Sequence, residues 1–208
     1  MQLLSNTTSP FVRIARICLI EKGVEIEPTL VDPWADDARL RAANAATRVP
    51  TLLLDDGTPL TESLLIAQWL EATRPAPKWP GLLGSAEQMP GVLSRAGIAL
   101  GGIDASVHTI ITRKVTAPVL FDETPVGLRR RRTMIESMER LEAMASVLGG
   151  AKPGQAAPTL DQICAVVLFD YQQFRYGDQP WLPKTPGLKA LAEAVRQRPS
   201  YARTLPHA

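Results

Sequence analysis

The stretch Thr47–Glu71, TRVPTLLLDDGTPLTESLLIAQWLE, decides the fold. Proline cannot donate to a β-ladder, so Pro50 belongs at the start of a strand, here Thr51 to Asp55. Asp56-Gly57 is a hairpin turn, and Pro59-Leu60 is the short return strand. From Glu62 to Thr73 the apolar residues fall at helical spacing. A strand, a turn, a strand and a helix thus occupy fewer than thirty residues.

Upstream, Met1–Leu4 is a strand. Ser9 can cap a helix and Pro10 suits its first position. That helix carries Phe11, Ile14, Ala15, Cys18 and Leu19 on one face and stops at Gly23. Val24–Val31 is a second strand, and Trp34–Ala45 a short polar helix. The order β-α-β-α-β-β-α is complete by Thr73. Arg74–Gly81, RPAPKWPG, is proline-rich and reads as a linker.

Beyond it the pattern is helical, over Ala86–Val115, Val126–Leu148 up to Gly149-Gly150, Thr159–Phe174 and Gly187–Gln197. Gly97, Gly101 and Gly102 mark a bend or a close approach in the first of these. The expected organisation is an α/β domain at 1–75, a linker at 76–84 and an all-helical domain at 85–208.

Composition narrows the function classes. The chain has 208 residues, with 45% hydrophobic and 21% charged, as in an ordinary globular protein. A net charge of +2 gives no basic footprint for nucleic acid or an acidic membrane. No apolar run reaches the roughly 18 residues of a transmembrane helix, and the start lacks a signal-peptide pattern. A cytoplasmic location is expected. Cys18 and Cys164 lie inside apolar stretches and read as small buried hydrophobes. With only His108 and His207 besides, no metal site is expected. Arg129–Arg132 would wrap around a helix, which suits a solvated surface paired with nearby glutamates.

Three places carry candidate chemistry. In LLSNTTSPFVR, Leu3–Arg13, a strand passes through a loop into a helix N-terminus, whose free N–H groups and dipole favour an anion. A thiolate qualifies. Lowering a thiol pKa by about two units needs only roughly 2.7 kcal/mol. Ser9, Thr8 or Asn6 can add a hydrogen bond; a plain cap at Ser9 is the simpler reading of these residues alone. At Val49-Pro50, a cis bond would leave the Val49 backbone free to pair with an extended peptide. At Glu62-Ser63, a helix N-terminus with a hydroxyl can hold a carboxylate, while Glu62 accepts from an ammonium. Each of these alone also reads as capping or turn chemistry.

Together the three match sulfur, peptide middle and γ-glutamyl end of glutathione, and the chain resembles the cytosolic glutathione S-transferase family. TSPFVR resembles its helix-opening motif, and TRVPTLLLDDGTPLTESLLIAQWLE its cis-proline and Glu-Ser segment. PTLDQICAVVLFDY resembles its capped central helix, with Gln162 in the capping-box position, and RPSYARTLP its C-terminal ending. The resemblance implies a thioredoxin-like βαβαββα domain followed by an all-helical domain, and a homodimer.

It implies further that Ser9 activates the glutathione sulfur, with Asn6, Thr7 and Thr8 as alternatives. Val49, beside cis-Pro50, would pair with the cysteinyl unit; Glu62 and Ser63 would hold the γ-glutamyl group, and Arg48 would approach the glycyl carboxylate. NAATRVP departs from the usual Asn-Pro-x-Gly-Lys-Val-Pro, which leaves the loop geometry near Arg48 open. Phe11, His108, Arg113 and Phe174 are candidates for a second-substrate pocket between the domains; His108 reads equally well as a polar residue on a helix flank. The implied activity is transfer of glutathione to a small hydrophobic electrophile, in detoxification. Glutathione-dependent disulfide or peroxide reduction and a non-catalytic binding role are the alternatives.

Overall fold

The structure, a computed structural model, describes residues 1–149 and 157–207. They form two compact units, one of residues 1–83 joined by the chain from Arg196 onward, the other of residues 84–195.

The first unit runs β1 (Gln2–Ser5), α1 (Pro10–Glu21), β2 (Pro28–Leu30), α2 (Ala38–Ala43), β3 (Thr51–Leu53), β4 (Pro59–Thr61) and α3 (Ser63–Thr73). This is the β-α-β-α-β-β-α order read from the sequence. The sheet order is β2-β1-β3-β4, with β1 and β2 parallel and the other pairs antiparallel. Val24–Val31 yields only three strand residues, because β1 offers partners from Leu3 to Ser5 alone. The second helix begins after Asp37, not at Trp34, because the Asp37 carboxylate accepts from the N–H groups of Arg39 and Leu40 at 2.9 and 3.3 Å.

Helix α1 buries Val12, Ile14, Ala15, Ile17, Cys18 and Leu19 and packs against α3. Leu4, Val31 and Leu40 form a cluster under which Val49 is tucked. Lys22, fully buried, holds the far end of this unit together. Its ammonium lies 2.5 Å from the Glu71 carboxylate and donates to the Arg74 carbonyl at 2.8 Å. Glu71 in turn accepts from the Leu82 N–H at 3.1 Å. The C-terminal chain carries α9 (Pro199–Ala202), tied to α1 where Arg198 makes a two-pronged pair with Glu21 at 3.0 and 2.8 Å.

The second unit contains α4 (Met89–Thr116), α5 (Pro125–Ala143), α6 (Ala145–Leu148), α7 (Leu160–Tyr176) and α8 (Pro186–Val195). Among its described residues there is no strand. Val126–Leu148 is not one helix. The Met144 N–H turns to Leu141, three residues back, at 3.1 Å, and separates α5 from the single turn α6; no glycine or proline announces this break. Gly149 ends α6 with φ +63°; Gly150 lies outside the described residues.

Helix α7 is buried along most of its length and extends to Tyr176, beyond the expected Phe174. At its start the Gln162 side chain accepts from the Thr159 N–H at 2.9 Å, as the capping-box reading expects. Asp161, next to it, is buried and paired with Arg95 at 2.7 Å. Of Gly97, Gly101 and Gly102, only Gly102 marks a close approach. A Cβ there would lie 2.9 Å from the Ser137 side chain and 3.0 Å from that of Leu168.

The arginine run corrects the solvated-surface expectation in part. Arg129 and Arg132 are exposed, and Arg132 reaches Glu136 at 3.8 Å. Arg130 instead donates to the His108 carbonyl and the Thr112 hydroxyl at 3.1 and 2.9 Å, and Arg131 lies 3.5 Å from Asp122. Both half-buried arginines therefore bind α5 to the rest of its unit. Cys18 and Cys164 are buried and form no disulfide. Among the described residues no helix is long and apolar enough to cross a membrane.

Candidate functional site

Strand register brings the three sequence motifs of the first unit together. Leu4 lies opposite Thr51, and Thr51 opposite Thr61, so the three form one row across β1, β3 and β4. β1 leaves this row through Ser5 toward Asn6–Ser9. β3 enters it from Pro50. β4 leaves it into Glu62 and Ser63. The three loops issue from one end of the sheet. With strands about 4.8 Å apart the row spans about 10 Å.

In the first loop the donors are unequally spent. The Asn6 side-chain oxygen accepts from both the N–H and the hydroxyl of Thr8, at 2.8 and 3.0 Å, so the Thr8 proton is committed. Ser9 is extended, at φ −72° and ψ 121°, and its hydroxyl oxygen accepts from the Val12 N–H at 3.3 Å. A hydroxyl has two lone pairs and one hydrogen. The cap uses a lone pair and leaves the hydrogen for an acceptor, so capping and sulfur activation at Ser9 do not compete. Thr7 is half-buried within the same turn.

In the second loop Val49-Pro50 is cis. No hydrogen bond among the described residues engages the Val49 main chain. The loop is braced by two residues that sequence reading did not single out. The Asn44 side chain donates to the Arg48 carbonyl at 3.0 Å and to the Thr51 hydroxyl at 3.1 Å, and accepts from the Ala46 N–H at 2.9 Å. The Thr51 hydroxyl donates to the same Arg48 carbonyl at 2.9 Å. Thr47 has φ +49°. It stands where the usual segment of the resembled family carries glycine, the residue best suited to that backbone conformation. The Arg48 side chain is exposed.

The third loop holds Glu62 at φ +65° and ψ 126°, a sparsely populated conformation for a side-chain-bearing residue. Its carbonyl accepts the first helical bond from Ile66 at 3.0 Å, but its exposed carboxylate caps nothing. Ser63 is buried at the first position of α3, whose leading N–H groups lack helical partners. The simple capping reading of Glu62 therefore fails.

The second-substrate candidates fall in different surroundings. Phe11 is half-buried in the first turn of α1. In the second unit, the His108 ring lies 2.9 Å from the Asp104 carbonyl and 3.1 Å from its carboxylate. Arg113 donates to Asp122 at 2.7 Å and lies over the Tyr176 ring at 5.2 Å. That hydrogen bond holds the Asp122 carboxyl below its ordinary pKa. Phe174 is exposed beneath the Arg175 guanidinium, at 4.6 Å. Cys18 cannot serve as a nucleophile, since burial pushes its thiol up to about 12.

The family described as Glutathione S-transferase, N-terminal domain, matches residues 8–73. The uncharacterized GST-like protein YibF of Escherichia coli K12 is 30% identical over 207 residues, covering 99% of this chain and 98% of that protein. Among solved structures, a glutathione S-transferase from Methylobacterium radiotolerans in complex with glutathione sulfonate is 29% identical, with a TM-score of 0.83 over 100% of this chain and 95% of that one. A glutathione transferase family member from Pseudomonas fluorescens Pf-5 with bound glutathione is 25% identical, with a TM-score of 0.81 over 100% of this chain and 99% of that one. The thioredoxin-like sheet, the helical unit after it and these full-length likenesses lead to one conclusion: the chain belongs to the glutathione S-transferase family.

Proposed function

We propose that the chain is a glutathione transferase that binds glutathione as thiolate on its first unit and directs it at a small hydrophobic electrophile, as a cytoplasmic homodimer. The observation that carries this reading is the single row Leu4, Thr51 and Thr61. It supports a sulfur site at Asn6–Ser9, a peptide-pairing edge at Val49 and a head-group clamp at Glu62 and Ser63, in that order. An extended tripeptide is about 10 Å long, the width of the row. Two relatives carry glutathione or its sulfonate, which supports the same ligand here.

In this reading the Ser9 hydroxyl donates its remaining hydrogen to the sulfur, and the α1 N-terminus favours the charged form. The thiol proton passes to solvent. The thiolate then forms a bond to the electrophile, whose leaving group departs with the displaced electron pair. The protein supplies orientation and a lowered pKa, without a nucleophile of its own. Glu62 accepts from the α-ammonium, while Ser63 and the free α3 N–H groups receive the α-carboxylate.

Calorimetry with glutathione tests this. The wild-type chain is expected to bind in the micromolar to millimolar range, and the double variant Glu62→Ala, Ser63→Ala to bind at least tenfold more weakly. Wild type that shows no heat at millimolar glutathione, while folded, rules the reading out.

A further inference from the structure

The chain devotes two buried side chains to one carbonyl beside the proposed glutathione site. Asn44 is 8% exposed and Thr51 is fully buried. Both donate to the Arg48 carbonyl, at 3.0 and 2.9 Å, and Asn44 also donates to Thr51. The peptide between Arg48 and Val49 is not among the cis bonds, so its C=O and N–H point in opposite directions from one rigid plane. Fixing the carbonyl toward Asn44 and Thr51 fixes the Val49 N–H away from them.

We infer that Asn44 is a positioning residue for glutathione. Together with Thr51 it aims the Val49 N–H at the cysteinyl carbonyl of the bound tripeptide. The inference rests on the glutathione reading above and adds to it the device that sets affinity for the peptide middle. Thr51 has a double role, since it also stands in the row between Leu4 and Thr61. Asn44 acts through the peptide plane alone. Its amide is suited to this because it offers two donors at once; a carboxylate in its place would face the Arg48 carbonyl lone pairs.

The test compares Asn44→Ala, Thr51→Val and Thr51→Ser by glutathione calorimetry, by the ultraviolet absorbance of the bound thiolate against pH, and by melting. Asn44→Ala and Thr51→Val are expected to weaken glutathione binding about tenfold. The bound-thiol pKa should stay as in wild type, because Ser9 is untouched. Thr51→Ser, which keeps the hydroxyl, should restore wild-type affinity. Asn44→Ala that melts cooperatively and binds glutathione like wild type overturns the inference while leaving the glutathione reading intact. So does an equal loss of affinity in Thr51→Ser, or a bound-thiol pKa that moves with affinity. Failure of wild type to bind overturns the underlying reading instead.

Discussion

The site end of the sheet and the flank of α4 both present polar side chains that sequence reading nominated, yet they differ in how much hydrogen-bonding capacity is already used. At the sheet end, Ser9 keeps its hydrogen, the Glu62 carboxylate caps nothing and the Val49 main chain pairs with nothing described. On α4, Arg113 is committed to Asp122 and lies on Tyr176, and His108 faces the backbone carbonyl and the carboxylate of Asp104. A folded chain leaves few polar groups unsatisfied where it needs only stability. Uncommitted groups gathered at one sheet end are therefore the better mark of a binding site than residue type.

The sharpest way to break this contrast is to exchange the consequences. Ser9→Ala is expected to lower kcat/KM with glutathione and an activated aryl halide by about 100-fold, the effect of removing one donor to a developing anion. The bound-thiol pKa should rise, and stability should fall by about 1 kcal/mol for the lost cap. Ser9→Thr should recover both. Arg113→Gln should leave glutathione affinity unchanged and act on stability alone. Asp122 is held below its ordinary pKa by Arg113, so the pair stabilises the fold above the unfolded carboxylate value near 4. That contribution is lost as pH falls through the lower folded value. Melting from pH 6 down to pH 3 should show a shallower decline in Arg113→Gln than in wild type. A variant that instead alters turnover would return Arg113 to the electrophile pocket.

A middle-sized effect is expected at Gly102, where the helical unit is held by packing. Alanine is the better helix former by about 1 kcal/mol. Its Cβ would nevertheless press on Ser137 and Leu168 at 2.9 and 3.0 Å. Gly102→Ala is expected to lower stability by about 1–2 kcal/mol in denaturant melts, overpacking outweighing propensity. Gly97→Ala and Gly101→Ala, which meet nothing within 4 Å, should stabilise instead.

The contrast also marks what was legible in the sequence. Strand and helix order followed from Pro50, the Asp56-Gly57 turn and the periodicity after Glu62, because these are local and strongly patterned. The Ser9 cap and the Gln162 cap were legible for the same reason. The α5–α6 break at Met144 was not, since it involves no breaker residue and depends on one bond turning to Leu141. Arg130 and Arg131 were misread because four adjacent charges look solvated until η1 (Phe121–Glu123) and α4 are beside them. Asn44 was hidden most completely. Its role depends on the distance to a carbonyl four residues away and a hydroxyl seven residues away, which no spacing rule reports.

The smallest effect concerns the loop Asn44 braces. Thr47 holds φ +49°, where a β-branched side chain crowds the backbone at a cost of about 1–2 kcal/mol that glycine avoids. Glycine returns part of this by giving the unfolded chain more freedom, roughly 0.4–1 kcal/mol. Thr47→Gly is therefore expected to stabilise by about 0.5–1 kcal/mol in equilibrium melts, with glutathione affinity unchanged, because the Arg48 carbonyl stays anchored by Asn44 and Thr51. A loss of affinity with that gain in stability would mean that Thr47 stiffness, and not the Asn44 bonds alone, aims the Val49 peptide. Combining Thr47→Gly with Asn44→Ala separates the two: additive changes in affinity assign the loop's geometry to the hydrogen bonds, and a larger joint loss assigns it to both.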